Sequence, residues 1–82
     1  MTGLEVRNVP AAILVRDLLD EFEGEEQPDG TVTGHGWLVR FIAGEPVRMK
    51  QTVITVLFIE ISGEREVEAA TFVRRKSMRG GG

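Results

Sequence analysis

The stretch Gln51–Ser62, reading QTVITVLFIEIS, constrains the fold of this chain more than any other. It is rich in β-branched residues, which suit the pleated surface of a sheet. Val53, Thr55, Leu57, Ile59 and Ile61 fall on one face of such a strand. Ile54, Val56 and Phe58 fall on the other, which ends at Glu60. A strand that is apolar on both faces has to be covered on both. One helix can cover one face of a small sheet, so something else must meet the second.

That helix is legible upstream. Leu4–Val9 alternates, with Leu4 and Val6 on one side and Glu5 and Arg7 on the other, as in a short half-buried strand. Asn8-Val9-Pro10 then reads as a helix start, because a proline in the first turn loses no hydrogen bond. From Pro10 to about Glu23, the residues Ala11, Leu14, Val15, Leu18, Leu19 and Phe22 recur at three- and four-residue steps. Arg16, Asp17, Asp20, Glu21 and Glu23 fill the opposite side, and Gly24 is placed to cap the end. Acids at a helix C-terminus oppose its dipole, so local stability does not account for them.

After the Pro28-Asp29-Gly30 turn, a long extended segment is expected from Thr31 to Ala43, with Gly44-Glu45-Pro46 as the next turn. Beyond the Ser62-Gly63-Glu64 turn two readings stand. Val67, Ala69, Thr71 and Val73 alternate as a strand that would complete a meander, and this is the favoured reading. The richness in Glu, Ala and Arg of Glu64–Met78 would suit a second helix instead. The expected class is α+β in the order βαβββ, one amphipathic helix packed on a four-stranded, mainly antiparallel sheet. With a helical last element the order becomes βαββα. Residues 1–76 read as a single domain, and 77–82 as a flexible glycine-rich tail.

Eighty-two residues leave room for one domain and a thin core. Domains of this size often gain stability from disulfides, metals or oligomerisation. The chain has no cysteine and a single histidine, His35, which excludes disulfides, thiolate zinc sites and multi-histidine metal sites. Oligomerisation is the route that remains. Apolar runs such as Val56–Ile59 are far short of the roughly 20 residues of a membrane span. The first residues lack the basic and apolar regions of a signal peptide, so a cytoplasmic location is expected.

The net charge of −3 conceals an asymmetry. Residues 1–30 carry eight acids against Arg7 and Arg16, whereas residues 31–82 carry eight bases against five acids. Such polarity promotes head-to-tail contact or selects charged partners.

Four features are candidates for function. The second apolar face, with Ile54, Val56 and Phe58, together with Trp37, is the candidate protein interface, used by a homodimer or by another protein. Arg74, Arg75, Lys76 and Arg79 form a basic cluster able to attract an anion or a phosphate backbone. The isoelectric point near 5.1 argues against nucleic acid as the main partner. His35 lies between Gly34 and Gly36, a pattern that marks a bulge or the close approach of another group. Finally, the end Met78-Arg79-Gly80-Gly81-Gly82 resembles the tails of ubiquitin-like proteins and bacterial sulfur carriers, which finish in Gly-Gly. That resemblance implies activation of the terminal carboxylate as an adenylate. It covers only the last five residues, and the β-grasp fold of those families begins with a hairpin, whereas here a helix is expected after one strand. The sequence carries neither a phosphate loop nor a Gly-x-Ser-x-Gly elbow. The expectation is a non-catalytic interaction or regulatory module without cofactor or metal.

Overall fold

A computed structural model describes residues 1–78. Strand β1 (Thr2–Arg7) leads into helix α1 (Ala11–Glu21). Five strands follow: β2 (Glu25–Glu26), β3 (Val32–Gly34), β4 (Trp37–Ala43), β5 (Val47–Met49) and β6 (Thr52–Ile54). Strand β7 (Val56–Ser62) and helix α2 (Glu66–Ser77) complete the described chain. The main sheet is antiparallel throughout, in the spatial order β1-β7-β4-β3-β2, and β5 and β6 form a separate two-stranded hairpin.

The α+β class and the early βα order are as the sequence predicts. The number of strands is not, and the last element follows the alternative, helical reading. The favoured fourth strand after Gly63 is helix α2, so two helices pack on a five-stranded sheet. The reason is non-local. A hairpin partner for β7 would need a free edge, but β1 pairs along one edge of β7 and β4 along the other. Residues 66–77 therefore form a helix, with Ala69, Ala70, Phe72 and Val73 buried and Val67 and Thr71 exposed one turn apart. Glu66 and Glu68 in its first turn and Arg74, Arg75 and Lys76 in its last turn both suit the helix dipole.

The segment expected as one long strand from Thr31 is also divided. It folds back at His35-Gly36 into the hairpin β3–β4, where Gly36 takes φ +81° as the second turn residue. The close approach expected around His35 is made by Trp37, whose indole lies over Gly34; a Cβ there would overlap it.

The core lies between the sheet and the two helices. Leu57, Ile59 and Ile61 of β7, Val39 of β4 and Val32 of β3 meet Leu14 and Leu18 of α1 and Ala69 and Val73 of α2. Phe22 links the layers, 5.3 Å from the Trp37 ring and 4.7 Å from the Phe72 ring, centroid to centroid. Helix α1 ends at Glu21, and Glu23 rather than Gly24 adopts the left-handed conformation, with φ 56°. One acid at this end, Glu21, has an explanation in the fold. Lys76 Nζ reaches Glu21 Oε1 at 2.6 Å, so the last turn of α2 supplies positive charge to the last turn of α1.

Strands β4 and β7 continue outward as β5 and β6. Their registers differ by one residue, since Ala43 pairs with Leu57 but Val47 pairs with Ile54. The extra residue is taken up at Gly44-Glu45-Pro46, expected as a chain reversal and found to be a bulge. The reversal itself comes later, at Lys50-Gln51, with Lys50 at φ 55°. The resulting arm contributes to an elongated shape of 43 × 25 × 20 Å.

Candidate functional site

The candidate site is the outer face of the main sheet. Alternation along each strand decides its composition. On β7 the residues between the core positions, Val56, Phe58, Glu60 and Ser62, point away from the helices. Pairing aligns Glu5 of β1, Phe58 of β7 and Ile42 of β4 in one row across the face. The next row holds Gly3, Glu60 and Arg40. Leu38 and Ser62 begin a third, continued by Thr33 of β3 and Glu25 of β2.

Both helices lie on the opposite side, so no described element of the chain covers this face. Phe58 remains 41% exposed and Ile42 40% exposed. Together with Gly3, Leu4 and Glu60 they line a shallow depression of about 370 Å³. Gly3 deepens it, because its missing side chain leaves open space beside β7. At the other end Phe58 leans over the backbone of Gly44, where a Cβ would lie 2.6 Å from the ring. A glycine at 44 therefore lets the phenyl group lie flat and fixes its direction.

Charges of both signs surround this apolar centre. Arg40 Nη1 lies 3.8 Å from Glu60 Oε1, and Arg7 Nε lies 3.2 Å from Glu5 Oε2. Surface pairs of this kind contribute little to folding. They are free to exchange partners with an opposing surface.

The four predicted interface residues separate. Phe58 is central to the face, and Val56 lies beside it, 8% exposed and close to Gly44. Ile54 is on the arm, paired with Val47. Trp37 is 4% exposed on the helix side of the sheet and belongs to the core. Ile42, Leu38 and Arg40 were missed. They alternate with Trp37, Val39 and Phe41, and nothing in the local pattern says which set faces the helices.

The predicted basic cluster is the last turn of α2 rather than a tail. Arg75 and Lys76 lie 5.7 and 5.6 Å from the centre of the Phe72 ring. Lys76, also engaged by Glu21, joins the two helices, whereas Arg74 and Arg75 are exposed. Arg79 and the glycines of the terminal resemblance lie outside the described residues. His35 sits at the β3–β4 turn, where its carbonyl oxygen accepts a hydrogen bond from Arg65 Nη1 at 3.3 Å. It shares a small hollow with Glu23, Glu25 and Thr33.

The carboxylates with displaced titration lie away from the outer face. Asp29 is held below the usual carboxylate range, first by the Thr31 hydroxyl and then by the Thr31 amide, both donating to Oδ1. The Thr2 hydroxyl, donating at 2.7 Å, and then the terminal ammonium lower Glu66. Arg65 lowers Glu68 by hydrogen bond and charge, and is itself raised in return. Each fastens a turn or a helix start. Among the described residues, no three His, Asp or Glu side chains gather to hold a metal ion, and no helix is long and apolar enough to cross a membrane. No protein-family model matches the chain, and no curated protein is found to be similar to it.

Proposed function

We propose that the chain is a non-catalytic protein-interaction module that associates with a second copy of itself across the outer sheet face. The observation that carries this reading is the Ile42–Phe58 patch, left open while Leu57, Ile59 and Ile61 on the other side of β7 are buried under the helices. A second copy is favoured as occupant by the arrangement of charge. Two acids, Glu5 and Glu60, and two bases, Arg7 and Arg40, surround one apolar centre. A two-fold contact sets the same patch against itself, so it needs both signs on one surface. A partner of a single sign would meet repulsion from half of this rim.

Sedimentation of the wild type and of Phe58→Glu tests the reading. The charged side chain can reach water in the isolated chain, but two copies would face each other across the axis. The variant should keep its fold and run at a lower mass than the wild type. An unchanged mass would reject the outer face as the contact.

A further inference from the structure

The arm formed by β5 and β6 is the least supported part of the fold. Among the described residues its strands pair only with each other. An isolated two-stranded hairpin is at best marginally stable in water. Yet this one presents apolar side chains to solvent, with Met49 57% and Val53 52% exposed, beside the basic Arg48 and Lys50.

A surface of matching character lies on the same chain. Strand β3 accompanies β4 only as far as the pair Val32–Val39, and the chain then turns away through Thr31 and Gly30. Strand β4 runs on to Ala43 without a neighbour on that side among the described residues. Gly44 N donates to Val56 O at 2.9 Å, and bonded pairs alternate along an antiparallel ladder. The backbone groups of Phe41 and Ala43 therefore point to the vacant edge. Beside that edge is a groove of about 590 Å³ between α1 and the sheet. Ala11, Val15, Leu19 and Phe41 give it an apolar floor, and Asp20 and Glu26 stand on its rim together with a single base, Arg16. The groove opens near the root of the arm. Ala11 closely follows Asn8, whose amide donates to Thr55 O at 3.0 Å, and Phe41 closely precedes the Gly44 bulge.

We propose that this groove receives the arm of a second copy, and that the exchange is reciprocal. Two arms laid side by side in opposite directions bring each tip to the root of the other. Three paired residues per strand extend roughly 10 Å. Met49 and its apolar neighbours then meet the Ala11, Val15 and Phe41 floor. Arg48 and Lys50 meet Asp20 and Glu26, and a strand of the arm can add to the free edge of β4. The charge asymmetry of the sequence, acidic early and basic later, is what such a contact between copies uses. This contact is separate from the outer face and does not rest on it. With both in place each chain touches two others.

The test starts from Phe58→Glu, in which the outer face is closed by charge, and follows mass by sedimentation. That variant should run at twice the 9.1 kDa of one chain. Adding Arg48→Glu and Lys50→Glu, both exposed positions, should bring it to the mass of a single chain. Adding Asp20→Lys and Glu26→Lys to those should restore the doubled mass, which no loss of folding could do. A single-chain mass for Phe58→Glu with the arm intact would overturn the proposal, as would a doubled mass that ignores the charge reversal or is not restored by the swap. If Phe58→Glu leaves the wild-type mass unchanged, only the outer-face reading fails, and the same charge reversals in the wild type still decide the arm.

Discussion

The two faces of β7 are built from neighbouring residues of one strand and have opposite fates. Leu57, Ile59 and Ile61 are closed over by α1 and α2, whereas Phe58 between them is open to solvent. Phe58 is as apolar as they are, so hydrophobicity at this point of the strand does not distinguish it. What does is the position of the helices, which follow β1 and β7 onto the same side of the sheet. One face has become core, and the other retains the driving force of burial without an occupant from its own chain.

This difference should be sharpest in stability. Ile59→Ala deletes a fully buried side chain from the centre of the core and should cost about 2–5 kcal/mol by urea denaturation. Phe58→Ala in the same strand, measured in dilute solution where copies are apart, should cost well under half as much. Equal losses would mean that the outer face is structural in the single chain, and the contrast between the faces would fail.

Acid should act more weakly, and on the helix side. Glu66, Glu68 and Asp29 all titrate below their ordinary values in the folded chain. Carboxylates of this kind add stability that is fully present above their unfolded values and is lost as pH falls through the lower folded values. Stability should therefore be flat from neutrality down to about pH 5 and decline below about pH 4. Glu66→Gln, which removes the ionised acceptor of the Thr2 hydroxyl, should make that decline shallower. An unchanged acid limb would show that the tie between β1 and α2 contributes nothing to it.

How far the sequence discloses this arrangement depends on the range of the forces involved. The helical stripe of α1 and the alternation of β7 are local patterns; α1 forms where it is expected, whereas the single strand expected over Gln51–Ser62 is broken at Thr55 into β6 and β7. Helix α2 was ambiguous because Val67, Ala69, Thr71 and Val73 satisfy a two-residue period, while Ala69, Ala70, Phe72 and Val73 satisfy a helical one. Occupation of both β7 edges decided between them, and it depends on β1, some fifty residues earlier. The arm was hidden for a different reason. Gly44-Glu45-Pro46 has the composition of a turn but makes a bulge, whereas Lys50-Gln51 makes the turn with neither glycine nor asparagine. Of the candidate interface, Phe58 and Val56 were legible because β7 is so regular. Trp37 was misplaced because its strand alternates equally well in either orientation.

The most direct test of the central claim is whether the open face of one chain touches that of another. In a mixture of isotope-labelled and unlabelled chains, magnetisation transfer selected to pass only between copies would report it. The account predicts transfer between the Phe58 ring of one copy and the Ile42 methyl groups of the other. Transfer between copies that bypasses both residues, or none at concentrations where the mass exceeds that of one chain, would contradict it.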